Sequence, residues 1–391
     1  MSTNSLNDII LAPGWKVPAV RSGDFRICTK TVMDNSDPDI RFNEKGESHY
    51  VQYFENVVRP MWMPDDRGRK VLESTVDRMR KEGKGHDYDC IIGLSGGVDS
   101  AYLAYLASSY NLRILAVHVD AGWNSELAVK NIQQIVTHCR IDLYTHVVDW
   151  DIMRDLQLAF FKSGVPNQDI PQDHAFFAAL YHFARKHRIQ WVLHGGNVAT
   201  EAILPQSWGY NAMDGKHLRD IHKQFGSKPL KKYPVIGFFD NYIYYPYIIK
   251  MKPARLLNYV DYNKQKAVEL LENEVGFRYY HGKHYESRFT RFFQSHILPY
   301  RYGYDKRKAH ASSMILSGQM TREEALEYVA QPLYKDQLSL EADKTFFIKK
   351  LGIDEAQYQQ YMDQPTRPHA DFKNNDALLR RLARLKQRIV S

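Results

Sequence analysis

The sequence predicts an α/β fold in which a doubly wound parallel sheet carries helices on both faces. Short apolar runs alternate with segments of helical, amphipathic spacing, which is the pattern of parallel strands joined by crossover helices. Most of these runs are apolar without interruption, as expected for strands that are covered on both faces. Glycines and polar residues follow directly after three of the runs. Because ligands of such sheets bind beyond the carboxyl ends of the strands, these loops predict a binding site.

The individual elements follow from periodicity and local composition. The predicted strands are 90–94, 112–120, 141–148, 189–194 and 243–250, and the predicted helices are 67–84, 98–104, 125–138, 151–162, 173–187, 264–275, 321–351 and 375–390. Ser125 is an expected N-cap, Gly276 an expected C-terminal stop, and Thr321 with Glu324 has the form of a capping box. Residues 202–246 are irregular and rich in aromatic side chains, and we expect them to face a substrate.

Length and composition bound the organisation of the chain. With 391 residues, of which 44% are hydrophobic, the chain can bury a large core and is long enough for two or three domains. We expect a small β-rich appendage at 1–66, a nucleotide-binding domain at 67–262, and a mainly helical region at 263–391 that contributes basic residues to the site.

Several classes of protein are disfavoured by composition. No apolar run reaches the roughly eighteen residues of a membrane span, and the N-terminus lacks the core of a signal peptide. We therefore expect a cytoplasmic protein with no membrane partner. Cys28, Cys90 and Cys139 are widely separated, which argues against a disulfide framework. The net charge of +8 permits an anionic partner without choosing between a nucleotide, a sugar nucleotide and RNA.

The stretch 90–100, with the sequence CIIGLSGGVDS, predicts a phosphate-binding loop. An apolar strand ends at Ser95-Gly96-Gly97 and a helix begins, so free backbone N–H groups and the helix dipole point at one spot. The two glycines allow close approach of a phosphate, and Ser95 and Ser100 add hydroxyl donors. Asp99 is a carboxylate beside phosphates, which indicates a bridging Mg²⁺ ion as well as binding.

Two further loops begin where predicted strands end, and we expect them to hold the nucleoside. The first contains His118 and Asp120, and the second contains Gly195, Gly196 and Asn197. Each has an alternative structural interpretation. Asp120 can cap the next turn, His118 can be a hydrogen-bonded core residue, and the glycine pair can form a plain turn.

Basic residues in the last third of the chain predict a second contribution to the site. Lys283, Arg288 and Arg291 are candidates to bind phosphate, since Arg is suited to bidentate contacts. The candidates for substrate binding are Glu201, His284, Tyr285, Glu286, Arg288, Lys306 and Arg307. Glu201, Glu286 and His284 are also the candidate proton acceptors. Charge runs are usually solvated surfaces, which is the alternative for this region and for the basic helix at 375–390.

The motif Ser-Gly-Gly-x-Asp-Ser at 95–100 resembles that of the PP-loop ATP pyrophosphatases, which have an adenine nucleotide α-hydrolase-like fold. Beyond it, the chain resembles the N-acetyl sugar amidotransferases of surface-polysaccharide and nonulosonic acid biosynthesis. The matching segments are 28–34, 40–46, 120–123, 194–197, 282–293, 303–307 and 316–319. The resemblance implies an enzyme that uses ATP and Mg²⁺ to adenylate a sugar acetamido oxygen and then replaces it with ammonia, giving an acetamidino group.

The resemblance also implies partners and one departure. Ammonia would come from a glutaminase subunit and a cyclase-like, ammonia-channelling subunit, and the substrate would be an N-acetylated nucleotide sugar of O-antigen synthesis. The family usually carries two CxxC pairs near the N-terminus, a spacing suited to zinc. Here only Cys28 is present, and Thr31, Ser48 and Val51 occupy the other positions. We therefore expect a degenerate zinc-ribbon-like appendage that folds without zinc.

Two alternatives remain at this stage. PP-loop enzymes also modify tRNA, and the net charge and the basic terminal helix suit that function, although nucleic acid is the less expected partner. A non-catalytic scaffold that retains the nucleotide site is the other alternative, and the intact Asp99 argues against it. The sequence does not identify the sugar, its nucleotide carrier or the acetamido position.

Overall fold

The computed structural model describes residues 25–280, 282 and 285–390. Within them, five strands form one fully parallel sheet in the order β3-β2-β1-β4-β5. The strands are β1 Cys90–Gly93, β2 Ile114–Asp120, β3 Asp142–Val147, β4 Trp191–Leu193 and β5 Lys252–Ala254. The order reverses between β1 and β4, and this switch point opens a crevice at the carboxyl ends of the strands.

The helices surround the sheet and form most of the last third of the chain. The α-helices are α1 His49–Tyr53, α2 Asp66–Glu82, α3 Val98–Ser109, α4 Glu126–Cys139, α5 Trp150–Ser163, α6 Ile170–Lys186, α7 Val198–Glu201, α8 Gly215–Phe225, α9 Lys264–Val275, α10 Arg288–Phe292, α11 Leu298–Tyr302, α12 Lys306–Leu316, α13 Arg322–Ala330, α14 Gln337–Leu351, α15 Glu355–Asp363 and α16 Asp376–Val390. Short π-helical segments lie at Phe54–Val58, Asp240–Ile248 and Phe293–Ile297, and 3₁₀ turns lie at Arg59–Met61, Gln206–Trp208, Leu256–Tyr259 and His369–Asp371. Of the helices within this described part of the chain, none combines the length and the apolar run that a bilayer span requires.

Alternate side chains of the strands enter two different cores, which is why the strand sequences are apolar on both faces. Ile91 and Leu115 pack on one side of the sheet, in the core that includes α6. Ile92 and Ala116 pack on the other side, in the core that includes α3, α4 and α9. The predicted doubly wound α/β class is therefore confirmed.

The caps predicted from sequence are present. Ser125 Oγ accepts a hydrogen bond from Ala128 N at 3.1 Å, and Gly276 ends α9 with φ +77°. Thr321 and Glu324 exchange the two hydrogen bonds of a capping box. These signals were readable because each depends on residues within one helical turn.

One local prediction is wrong, and a second is covered only in part by the described residues. The segment predicted as a fifth strand, 243–250, lies mostly in the π-helical segment Asp240–Ile248, which contains Pro246. The strand β5 forms instead at Lys252–Ala254, beside β4. The predicted β-rich appendage has only isolated bridges in its described part, Ile27 with Asp34 and Phe42 with Ser48, followed by helical turns.

The N-terminal segment is held against the C-terminal region by packing and charge. Cys28, Phe54 and Val58 share a core with Leu316 of α12, and Lys308 forms a buried ion pair with Asp34. Ser48 N donates to Cys28 Sγ at 3.2 Å, so two of the four positions compared with zinc ligands touch directly. The prediction that this appendage folds without zinc stays a prediction, as do the proposed domain boundaries.

Candidate active site

A pocket of about 400 Å³ opens at the carboxyl ends of β1, β2 and β4. This size lies within the range of small-molecule sites. Its walls come from the loop after β1, the first turns of α6, the loop after β4, and the segment that leads into α10. The predicted residues that line it are Ser95, Gly97, Asp99, Ser100, His118, Gly195, Gly196, Glu201, Glu286 and Lys306.

The loop between β1 and α3 has the geometry of an anion site. Ser95 Oγ accepts a hydrogen bond from Gly97 N at 3.1 Å and lies 3.3 Å from Ser100 Oγ. Both hydroxyls therefore stand at the N-terminus of α3, where the helix dipole is positive. Gly96 lies below the pocket wall, and its carbonyl accepts a hydrogen bond from Tyr280 at 2.7 Å. This hydrogen bond from Tyr280 restrains the loop at Gly96.

Gly96 is required at its position for two reasons, and this gives a testable prediction. Its φ is +85°, and a Cβ there would lie 2.7 Å from the carbonyl oxygen of Ala128. We expect Gly96→Ala to lower the free energy of unfolding by about 2–3 kcal/mol and to weaken nucleotide binding, since a strained backbone costs about 1–3 kcal/mol before the clash is added. Thermal unfolding and ATP titration measure the two effects.

Gly85 supplies the matched control, because its φ is also +85° but no heavy atom lies within 4 Å of the position that a Cβ would take. Gly85→Ala should therefore cost only the backbone strain, about 1 kcal/mol, and leave nucleotide binding unchanged. Equal losses for the two variants would show that the contact with Ala128 is unimportant.

Asp99, in the first turn of α3, is held by a buried tyrosine. The hydroxyl of Tyr262 donates to Asp99 Oδ1, and Tyr262 is almost completely buried. Burial and the neighbouring Asp99 carboxylate raise the pKa of Tyr262 well above its usual value, so the tyrosine remains a hydrogen-bond donor at neutral pH. The contact fixes the direction of the Asp99 carboxylate at the pocket wall.

The C-terminal region reaches the pocket by pairing with the loop after β2. Ser125 N donates to the carbonyl of Glu286 at 2.8 Å, and Arg288 N donates to the carbonyl of Trp123 at 2.9 Å. This pairing brings the carboxylate of Glu286 beside the phosphate loop, where a Cβ on Gly97 would lie 3.1 Å from Glu286 Oε1. The first residue of α12, Lys306, also lines the pocket. The loop and the distant segment therefore form one site.

Three residues predicted to bind the nucleoside make hydrogen bonds within the protein, and only His118 of the three also lines the pocket. Asp120 does not line the pocket. Its Oδ1 accepts hydrogen bonds from Gly122 N at 2.8 Å and Asn124 Nδ2 at 3.2 Å. Asn197 caps α7 through Thr200 N at 3.0 Å. His118 lines the pocket, but its Nδ1 lies 3.0 Å from the carbonyl of Leu94. The capping interpretation thus describes the observed contacts of Asp120.

The structure does not bring the predicted arginines to the pocket. Arg288 and Arg291 both pair with Asp343, at 2.9 Å from Nη2 to Oδ1 and 2.7 Å from Nε to Oδ2. Arg307 pairs with Asp305 at 2.7 Å. A buried carboxylate needs such donors, so these guanidinium groups are engaged in holding helices together. The ring of Tyr285 lies beneath the guanidinium of Arg291 and is also outside the wall. Lys283 and His284 fall outside the described residues.

Sequence reasoning missed several residues of the pocket. The polar ones among them are Asn124, Asp169, Gln172, Asp173, His194, Lys264, Tyr279, Tyr280, Ser287, Thr290 and Gln294, and Phe176 and Phe177 supply apolar surface. The helix predicted at 173–187 begins earlier, at Ile170, and Asp169 is its N-cap residue. The sequence pattern places Asp169 in the loop before the predicted helix. The spacing of Asp169 and Asp173 places both on one helical face, which was the available signal.

Asp173 has a strongly perturbed carboxyl group in the pocket. Burial raises its pKa to about 7, with a further upward contribution from the charges of Asp169 and Glu286 and an opposing one from Lys306. The carboxyl therefore changes its charge near neutral pH. Perturbed groups of this kind are concentrated at functional sites.

The donor set fits a nucleotide with a bound Mg²⁺ ion. Asp99, Glu201 and Glu286 present carboxylates to the pocket, and Lys264 and Lys306 present cations. Mg²⁺ in phosphate-transfer sites uses one or two carboxylates together with the phosphates. In the described part of the chain, no three His, Cys, Asp or Glu side chains are grouped so as to hold a metal by themselves, and such a closed cage is not needed here.

The parallel sheet and the loop between β1 and α3 form a strand-loop-helix turn suited to phosphate binding, and the chain is similar in part to several known proteins. Residues 286–386 match the family model of the LPS biosynthesis protein WbpG-like, C-terminal domain. A curated relative, the tRNA(Ile)-lysidine synthase of Chlamydia felis, is 23% identical over 180 residues, or 44% of this chain. The chain spans about half of that relative, 48% of its length.

Solved structures of synthetases are similar at low identity. The NH3-dependent NAD synthetase of Campylobacter jejuni has a TM-score of 0.31 and 14% identity, covering 77% of this chain and 98% of that one. The NMN synthetase of Francisella tularensis has a TM-score of 0.27 and 12% identity over 78% and 99%. The glutamine-dependent NAD+ synthetase of Acinetobacter baumannii, in complex with ADP, has a TM-score of 0.27 and 20% identity over 33% and 26%.

Proposed function

We propose that the protein is an ATP-dependent amidotransferase that converts an acetamido group of a nucleotide-linked or otherwise activated sugar into an acetamidino group. One observation carries the proposal. The region that matches an LPS biosynthesis domain begins at Glu286, and Glu286 and Lys306 line the same pocket as the Ser95–Ser100 loop. Residues of the predicted nucleotide site and of the region that matches the family model thus line one pocket.

The first step activates the amide, whose oxygen is otherwise a poor leaving group. The carbonyl oxygen attacks the α-phosphorus of ATP, pyrophosphate leaves, and the amide proton is lost, giving an O-adenylated imidate. The hydroxyls of Ser95 and Ser100 and the N-terminus of α3 hold the phosphates, and Lys306 balances their charge. Asp99 and one further carboxylate would hold a Mg²⁺ ion, which would supply positive charge to balance the pyrophosphate.

The second step replaces AMP with ammonia and completes the amidine. Water must be kept from the imidate, since hydrolysis would return the original amide. Phe176 and Phe177 supply apolar surface on the α6 side of the pocket and favour exclusion of water. The proposed ammonia source is a glutaminase subunit with a cyclase-like channelling subunit, and the proposed location is the cytoplasm.

Product analysis tests the proposed reaction. Incubation with ATP, Mg²⁺, ammonium and a nucleotide-linked diacetamido sugar should yield AMP, pyrophosphate and a sugar in which NH has replaced one oxygen, as read by mass spectrometry. Formation of ADP, or of AMP without a change in the sugar, would contradict the proposal. Omission of ammonium is the control, and it should abolish the amidine.

A PP-loop enzyme of tRNA modification is the second candidate, and it is favoured by the match to a tRNA(Ile)-lysidine synthase and by the charge of +8. Binding of tRNA that weakens steeply as salt is raised would support this candidate. AMP formation that depends on tRNA, and not on the sugar, would establish it in place of the amidotransferase.

A further inference from the structure

Asp173 stands in the first turn of α6 and lines the pocket on the side of Phe176 and Phe177. Its carboxyl has no hydrogen bond or ion pair with any residue that the structure describes. The neighbouring Asp169 differs sharply, because its carboxylate accepts hydrogen bonds from Gln172 at 2.7 Å, Thr290 at 3.0 Å and Gln294 at 3.1 Å. Asp169 is committed to structure, and Asp173 is available to a ligand.

The described groups facing Asp173 come from four parts of the chain, and two of the four are carboxylates. They are Asp169 at the start of the same helix, Glu286 before α10, Lys306 at the start of α12, and the buried Tyr233. Among these described residues, two carboxylates stand against one lysine, which is an excess of negative charge. The part of the pocket around Asp173 therefore repels a phosphate and attracts a small cation.

We infer that Asp173 receives ammonium and accepts its proton in the amination step, so that ammonia is released beside the activated carbon. This inference rests on the proposed amidotransferase function. The Asp173 carboxylate supplies the negative charge that binds ammonium. The apolar surface of Phe176 and Phe177 excludes water from the bound ammonium. Asp173 is thus a catalytic residue that contacts the second substrate.

The step balances in protons and electrons. Ammonium gives one proton to the Asp173 carboxylate, and the lone pair that is freed forms the new C–N bond. The C–O bond of the imidate then breaks, and its electron pair leaves with AMP. The remaining three hydrogens stay on the two nitrogens of the amidinium product. Asp173 finally returns its proton to solvent, which restores the carboxylate.

The pH dependence of amination follows from the raised pKa of Asp173, about 7. Below this pH the carboxyl is protonated and accepts no proton, so the rate with saturating ammonium rises with pH and levels off above about 7. Removing the carboxylate leaves only the free ammonia in solution as nucleophile. The rate of the variant should then keep rising towards the pKa of ammonium itself.

The experiment compares Asp173→Asn with the wild type, measuring pyrophosphate release in a single turnover and amidine formation separately from pH 6 to pH 9. We expect amidine formation at pH 7 to fall by about 10²–10⁴-fold, the usual contribution of a positioned acid or base. Pyrophosphate release should fall much less than amidine formation, because Asp173 acts only after the adenylate has formed. The levelling of the rate above about pH 7 should disappear, and concentrated ammonium at high pH should restore amidine.

Asp151→Asn is the matched control, since Asp151 also lies in the first turn of a helix but is exposed outside the pocket. It should behave as wild type. An Asp173→Asn protein that forms amidine at the wild-type rate at pH 7 would overturn the inference, and so would an equal loss of pyrophosphate release and amidine formation in a folded Asp173→Asn protein. Failure of the wild type to form amidine under any condition would instead refute the proposed function.

Folding of the variant is checked by thermal unfolding at two pH values. The pKa of Asp173 is higher in the folded state than in the unfolded chain, so the carboxyl favours the fold at low pH and opposes it once it ionises. Asp173→Asn should therefore melt at a higher temperature than wild type at pH 8, with a smaller difference at pH 5. A lower melting temperature at pH 8 would contradict the environment assigned to Asp173.

Discussion

Asp99→Asn is expected to reduce AMP formation by about 10²–10³-fold, the size of effect produced when one electrostatic contact to a transferring group is removed. The substitution keeps the shape of the side chain. An asparagine Oδ1 can still accept the hydrogen bond from Tyr262 that positions Asp99. The negative charge alone is lost, and with it the proposed partner of Mg²⁺ at the departing pyrophosphate.

The measurement is AMP release at saturating sugar, repeated over a range of Mg²⁺ concentrations. A higher requirement for Mg²⁺ in the variant would locate the defect at the metal, whereas an unchanged requirement would leave only a direct effect on the phosphates. Asp66→Asn is the control, because Asp66 lies in the first turn of α2 and is largely exposed. Full activity of a synthase complex that contains the Asp99→Asn protein would favour the non-catalytic scaffold.

The phosphate loop could be read from sequence because every part of it is local. The apolar residues Cys90–Ile92, the glycines and the start of α3 lie within one short segment, and strand, turn and helix signals each depend on near neighbours. The parallel sheet was predictable for the same reason. The fifth strand was misplaced because the tyrosine-rich segment 240–248 has strand-like composition but forms a π-helical segment.

The roles of the basic residues could not be read from sequence, because they depend on partners far away in the chain. Arg291 and Lys306 look alike in sequence, since each is a basic side chain in a short charged run. Arg291 pairs with Asp343, which lies 52 residues away in the sequence, whereas Lys306 lines the pocket. Asp173 was overlooked since its raised pKa comes first from burial, which only the tertiary fold produces, and the same fold brings Glu286 and Lys306 near it.

Asp343→Ala is expected to lower the free energy of unfolding by about 3 kcal/mol, the lower end of the range for breaking a buried ion pair. Asp343 is 1% exposed and accepts hydrogen bonds from Arg288, Arg291 and the hydroxyl of Tyr334 at 3.0 Å. Its loss leaves these donors without a carboxylate. Because the two arginine side chains are about one-third exposed, solvent compensates part of the cost, which is why the lower end applies.

Urea unfolding of Asp343→Ala measures this loss, with Asp371→Ala as the control. Asp371 pairs with Arg367 at 3.3 Å, and both side chains are well exposed, so its removal should cost less than about 1 kcal/mol. The same variant decides between two roles for the arginines. If Asp343→Ala unfolds like the control while AMP formation changes markedly, Arg288 and Arg291 act on phosphate as the sequence predicts. A large loss of stability assigns them to holding α10, and with it Glu286, against the pocket.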